Sequence, residues 1–322
     1  MTQSPDQGPA PSAEPVRSPA DGADLVGNLY HPSLRAAGQR LPAVVVSGTW
    51  TSVKEQMADR YAAELACRGL IALSFDFTGL GLSGGQPREV ESAAVKARDI
   101  HASVSFLQAQ PGVDPGRIGA LAICASAGYT VVNAVADPRV RALALVAPWL
   151  HGAAIVQQVY GGPDGVEERL RAGREARDRY ERGGSAEYVP VADPDDPRAA
   201  IPMAVDFYLD PNRGAVPGWP NRFAVMVWTE WLHFDPIALA APIAVPTLIV
   251  HSEQAAVPDG ARRFYESLAC GKQIVWTGGT QTDFYDQPAT VGHAAGRAAA
   301  HFARHLAAAG AAAGPAMQGA PR

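Results

Sequence analysis

No stretch of this 322-residue chain is apolar for long enough to read as a membrane span; the longest apolar runs are strand-sized. Charge of neither sign dominates. The 27 basic and 32 acidic residues leave a net charge of −5, without the electrostatic footprint of a nucleic-acid binder. Cysteine is scarce, and Cys67, Cys124 and Cys270 have no paired spacing. A disulfide framework is therefore not expected, and a reduced, cytoplasmic setting is. The N-terminal residues show no apolar segment of the secretory kind. No motif calls for a metal or a cofactor, and neither is expected. Lysine is nearly missing: Lys54, Lys96 and Lys272 are the only ones, and the excess of Arg, Ala, Gly and Pro carries no mechanism. At 47% hydrophobic and 18% charged, the composition suits a globular protein with apolar residues for one large core or two small ones.

Residues 1–23 and 307–322, rich in Pro, Ser, Ala and Gly, read as disordered tails. Between them short apolar runs alternate with helical patterns, the signature of βαβ units and a mostly parallel sheet with helices on both faces. Strands are expected at 41–48, 69–77, 117–123, 140–148, 246–252 and 272–278, and helices at 54–68, 93–108, 126–135 and 290–306. From 151 to 244 no strand of that quality occurs, although Arg-rich helical stretches and aromatics do. Such a length is too great for a loop inside a compact sheet. It reads as an inserted helical lid on a core formed by 24–150 and 245–306. A lid there would lie over the C-terminal edge of the sheet, where open α/β sheets place ligands. Its aromatic cluster, with Tyr160, Tyr208, Trp228 and Trp231 as the substrate-contact candidates, implies a sizeable apolar ligand.

The chemistry centres on the run from Arg117 to Tyr129, a strand passing into a helix through small residues. The pattern small-x-nucleophile-x-small marks a nucleophile elbow, because the turn leaves no room for bulk two places before or after. Cys124, flanked by Ala122 and Ser126, satisfies it; so does Ser126, flanked by Cys124 and Gly128. Strand length counted from Arg117 favours Cys124. Ser126 then falls one turn into the helix, its hydroxyl free to bond a carbonyl. The alternative for Cys124 is a core thiol, the usual fate of a free cysteine.

The runs SGTWTSVKEQM, ALSFDFTGLGLSGG, IGALAICASAGY, PTLIVHSE and GTQTDFYDQP together resemble the YcjY-like and dienelactone-hydrolase-related α/β hydrolases, and are similar to the fungal polyketide transferases. The resemblance spans about 24–306. It implies the α/β-hydrolase fold and an oxyanion hole formed by the backbone N–H groups of Trp50 (or Thr49) and Ala125. It also implies an acid after the strand at 246–252 and a histidine after the last strand. Here the sequence departs. The acid's place holds Gln254 or Ala255, leaving Glu253 as the nearby carboxylate, and the histidine's place holds Gln281.

Glutamine can orient a group or donate a hydrogen bond, but it cannot accept a proton. His151, His233 and His251 have no motif behind them. A cysteine tolerates the loss better than a serine, since ionising an ordinary thiol of pKa about 8.5 at pH 7 costs only about 2 kcal/mol. Thioesters are then favoured, because a thiolate leaves unaided. Deacylation by water would need Glu253 or Asp283 as base, and failing that the acyl group would await another nucleophile. The expectation is an acyl-transfer enzyme of bacterial secondary metabolism, a thioesterase, esterase or acyltransferase, with Cys124 as nucleophile. Its partner would be a small-molecule or carrier-bound acyl substrate, with homodimer formation as the expected association. Against it stands a non-hydrolytic or silent relative: a lyase, a cyclase or a ligand-binding protein.

Overall fold

The computed structural model describes residues 11–36 and 38–307. Ten strands and ten helices follow one another within them, with short 3₁₀ turns between. The strands are β1 (Ser12–Ala20), β2 (Ala23–His31), β3 (Leu41–Ser47), β4 (Ile71–Phe75), β5 (Val113–Ile123), β6 (Val140–Val146), β7 (Tyr188–Pro190), β8 (Arg222–Ala224), β9 (Thr247–His251) and β10 (Lys272–Trp276). The helices are α1 (Ala58–Ala66), α2 (Ala93–Ala109), α3 (Ser126–Ala136), α4 (Ala153–Val159), α5 (Gly162–Glu181), α6 (Asp206–Leu209), α7 (Trp228–Trp231), α8 (Pro258–Ser267), α9 (Asp283–Asp286) and α10 (Pro288–His305). Eight strands form one sheet in the order β1-β2-β4-β3-β5-β6-β9-β10. From β4 to β10 the pairing is parallel, while β2 runs antiparallel to β4 and β1 to β2. The central strands are unbroken apolar runs because helices cover both faces. Helices α2 and α3 pack together on the sheet, as do α1 and α10. Gly119 marks a close approach, since a Cβ there would stand 2.6 Å from the Phe302 ring of α10.

Two expectations are corrected. Residues 12–20 are a strand and not part of a tail. Two prolines and mostly exposed side chains hide it, but an edge strand tolerates proline where its N–H would face solvent. Within β2, Leu25, Gly27 and Leu29 point inward in strict alternation. The remaining tail residues, 1–10 and 308–322, lie outside the described residues. The second correction concerns the insertion, which leaves the sheet after Val146 and returns at Thr247. It carries helices α4 to α7 together with a two-stranded ribbon, β7 against β8. The insertion is tied to the body by polar contacts: Gln56 Nε2 donates to the Gly214 carbonyl (2.6 Å), Arg213 forms a forked pair with Asp286 (2.7 Å each), and Arg222 meets Glu89 (2.9 Å). No helix among the described residues is long and apolar enough to cross a membrane.

Candidate active site

Strand β5 ends at Ile123 and α3 begins at Ser126, so the chain turns through Cys124 and Ala125. Cys124 takes φ +58°, a left-handed conformation that costs a non-glycine residue about 1–3 kcal/mol. The neighbouring strand holds it there. The Cys124 N–H donates to the Val146 carbonyl (3.0 Å), and its own carbonyl accepts from the Trp149 N–H (2.9 Å). The side chain is thereby turned out of the strand, yet the insertion keeps it covered, at 6% exposed.

Ser126 is fully buried, and its hydroxyl donates to the Gly48 carbonyl on the loop after β3. Of the two elbow readings, only Cys124 sits at the left-handed turn, and its side chain is not spent on a backbone carbonyl as that of Ser126 is. The Thr49 and Tyr285 hydroxyls, the Ala125 N–H and the Gln281 amide surround its sulfur. Burial pushes the Cys124 thiol up, and these donors act against that shift without cancelling it. Its place at the N-terminus of α3 therefore does not make this thiol acidic.

Gln281 is fixed by three hydrogen bonds that settle the orientation of its amide. Its Oε1 accepts from the Ala256 N–H (2.9 Å), on the loop after β9 where an acid was sought. Its Nε2 donates to the Ala147 carbonyl (3.0 Å) and to the Tyr285 hydroxyl oxygen (3.0 Å). The Tyr285 proton is thus left free to point elsewhere, and Cys124 is a neighbour. Tyr208 completes the group, its hydroxyl facing Thr49 and Tyr285. Burial raises both tyrosines above their ordinary range, so they stay neutral donors. Tyr285 was missed in the sequence, and Thr49 was expected there for its backbone N–H and not for its hydroxyl. Tyr285 was within reach of inspection, since it follows Gln281 by only four residues.

Of the expected oxyanion donors, the Ala125 N–H acts on the sulfur, and Trp50 follows Thr49, whose hydroxyl does the same. The Trp50 amide makes no hydrogen bond among the described residues. Its indole packs on Phe223, Trp231 and Trp228 at ring-centroid distances of 4.7, 5.4 and 6.1 Å. The Trp231 indole N–H donates to the Tyr160 hydroxyl (2.6 Å), and Tyr160 stands edge-on to Trp228 at 5.4 Å. Tyr208 stacks on Trp219 at 5.2 Å. Tyr160, Trp228 and Trp231 thus share one buried aromatic cluster with Trp50, while Tyr208 belongs to a second with Phe207, Trp219 and Tyr285.

No protein-family model matches the chain. PA2218, an uncharacterized protein of Pseudomonas aeruginosa, is 30% identical over 276 residues, or 83% of this chain and 74% of its own. Its crystal structure matches with a TM-score of 0.81 at 26% identity, over 95% of this chain and 98% of that one. YcjY, an uncharacterized protein of Escherichia coli, is 28% identical over 274 residues, covering 83% of this chain and 89% of its own. GrgF, a polyketide transferase of a Penicillium species, is 26% identical over 238 residues, covering 72% and 76%. The solved α/β hydrolase GrgF has a TM-score of 0.75 at 23% identity, over 92% of this chain and 99% of its own. The chain belongs to the α/β-hydrolase family.

In this α/β hydrolase the other expected catalytic groups lie apart from Cys124. Glu253 is on the surface, paired with Arg262, which also reaches Asp259 (2.9 Å). Asp283 caps its own turn, accepting from the Thr280 N–H (2.7 Å). Both are corrected as candidate bases: each carboxylate has a local partner, and neither contacts the sulfur. The histidines do not replace them. His151 is buried with both nitrogens engaged, Nδ1 accepting from the Trp149 indole (3.1 Å) and Nε2 donating to the Trp231 carbonyl (3.0 Å). His233 is exposed and faces the Thr229 carbonyl (2.7 Å). His251 stacks on Trp276 at 5.5 Å, and burial takes its pKa down to about 4.

Proposed function

We propose that this α/β hydrolase transfers acyl groups through Cys124, taking a sizeable, largely apolar acyl chain from a thioester and passing it on to a nucleophile stronger than water. The observation that carries the reading is the surroundings of the Cys124 sulfur: the Thr49 and Tyr285 hydroxyls, the Ala125 N–H and the Gln281 amide act on it, and neither a histidine nor a carboxylate is among them. In the acylation step the sulfur attacks the thioester carbonyl. The Sγ–C bond forms, the C–S bond to the leaving group breaks, and the thiol proton departs on the leaving thiol. The Ala125 and Trp50 N–H groups receive the oxyanion, each such donor being worth about 3–4 kcal/mol in the transition state.

Attack by water on the resulting thioester lacks its usual help, because general-base catalysis, typically worth about 10²–10⁴-fold, has no group to supply it here. Relatives named polyketide transferase and thiohydrolase support acyl chemistry as the class. A carrier-bound or small-molecule thioester of bacterial secondary metabolism, handled in the cytoplasm, fits the buried aromatic layer.

The test is intact-protein mass spectrometry after exposure to the octanoyl thioester of N-acetylcysteamine. Wild type and Ser126→Ala should gain one octanoyl group, and Cys124→Ala none. Acylation that survives Cys124→Ala, or is lost in Ser126→Ala, rejects the assignment. No acylation of the wild type would favour a binding protein or a non-hydrolytic enzyme.

A further inference from the structure

Beneath the loop that bears Trp50 lies a buried carboxylate that the reaction as described does not use. Glu91 lies two residues before α2, and its side chain is shielded from solvent. Its Oε2 accepts from the Thr51 N–H (2.8 Å). Its Oε1 accepts from the Lys96 ammonium (2.6 Å) and from the Tyr129 hydroxyl (2.8 Å). One carboxylate thus joins the loop after β3, helix α2 and the second turn of α3, the helix that opens just past Cys124.

Thr51 is held in a strained state, with φ +52° on a β-branched residue. The two peptide groups that flank it are both held. Glu91 takes its N–H, and the indole of Trp219, from the insertion, donates to its carbonyl (2.8 Å). Lys96 is buried under the same roof, its ammonium 4.4 Å from the centre of the Phe77 ring. Two buried charges are a poor way merely to fill space, because well-packed apolar residues of similar volume are often as stabilising. What the pair supplies that apolar side chains cannot is a fixed acceptor for the Thr51 N–H.

We propose that Glu91 is a positioning residue for acyl transfer: together with Trp219 it locks the peptides on either side of Thr51, and so fixes the direction of the adjacent Trp50 N–H toward the oxyanion that forms at Cys124. This rests on the acyl-transfer reading above. Lys96 and Tyr129 keep the carboxylate in place, and Trp219 links the lock to closure of the insertion. Cysteine alkylation needs no oxyanion hole, whereas acylation does. The two reactions of one thiol therefore separate a positioning role from a merely structural one.

The experiment compares octanoylation by the N-acetylcysteamine thioester with alkylation by iodoacetamide. It uses the wild type and two charge-neutral double variants, Glu91→Gln/Lys96→Met and Glu91→Leu/Lys96→Met. The Gln variant keeps an acceptor for Thr51 and should acylate within about threefold of wild type. The Leu variant should lose about 10²-fold in acylation, as for a misplaced oxyanion donor, with alkylation nearly unchanged. If the Leu variant does not fold, Trp219→Phe serves, with acylation down several-fold and alkylation unchanged. Equal acylation in the folded variants, or acylation and alkylation falling in step, overturns the role of Glu91. A wild type that the thioester does not acylate overturns the acyl-transfer reading and this inference with it.

Discussion

At Cys124 two effects oppose each other, and their balance sets how the thiol reacts. Burial raises its pKa, while the Thr49 and Tyr285 hydroxyls, the Ala125 N–H and Gln281 lower it, leaving the value above the ordinary one. The reactive species is the thiolate, so alkylation by iodoacetamide should accelerate about tenfold per pH unit through neutrality and level off only above the ordinary thiol pKa of about 8.5. No inflection near pH 6–7 is expected. One that disappears in His151→Ala would reveal a base that this geometry does not contain. Gln281 bears on the same point. Its partner in the loop after β9 is the Ala256 N–H, a donor, where a triad requires an acceptor. In Gln281→His the ring nitrogen facing that N–H must be the bare one, and the proton then sits on the nitrogen facing Cys124. The single variant should therefore gain little hydrolysis, whereas Gln281→His with Ala255→Asp should shorten the life of the acyl-enzyme by 10-fold or more. A single variant that hydrolyses as fast as the double one would contradict this reading of the tautomer. The glutamine was plain in the sequence. The identity of its partner was not, because a backbone N–H leaves no letter.

Among the elements, the turn from β5 to α3 was the most legible. Small residues at 122 and 126 specify a tight strand-to-helix crossing, and the left-handed Cys124 is its product. Ser126 illustrates how such a turn is tied down: its hydroxyl joins α3 to the loop after β3 through Gly48. Ser126→Ala should lower stability in urea by about 1 kcal/mol, the net worth of one buried hydrogen bond, with acylation within a few-fold of wild type. A dead but stable variant would shift the chemistry to Ser126. Less legible was β1, an exposed edge strand with two prolines whose composition matches that of a tail. Equally hidden was the single turn of α9. Its Asp283 has a carboxylate's identity but a cap's geometry, bonded to Thr280 three residues back. Local composition identifies elements that are buried on both sides; it says little about those whose partners are water or their own backbone.

For the whole molecule, the insertion is the feature that turns a common fold into a particular site. It lays Trp228 and Trp231 against Trp50, with Tyr160 against both of those tryptophans, and the polar ties at Gly214, Asp286 and Glu89 fasten it to the body. If this cluster receives the acyl chain, as proposed, longer chains bury more apolar surface than an acetyl group does. Acylation across N-acetylcysteamine thioesters should rise with chain length, and Trp231→Ala should weaken the preference, since burying each methylene is worth about 0.8 kcal/mol. An optimum at acetyl would contradict it. The central claim is that Cys124 carries the acyl group without a base to help water remove it. Its most direct measurement follows the intact mass of the protein after a single charge of octanoyl thioester, first in buffer and then with an added thiol or amine. The account predicts an octanoyl group on Cys124 that persists in buffer and leaves when the nucleophile is added. An adduct that water clears before it accumulates, or one on any residue other than Cys124, would contradict it.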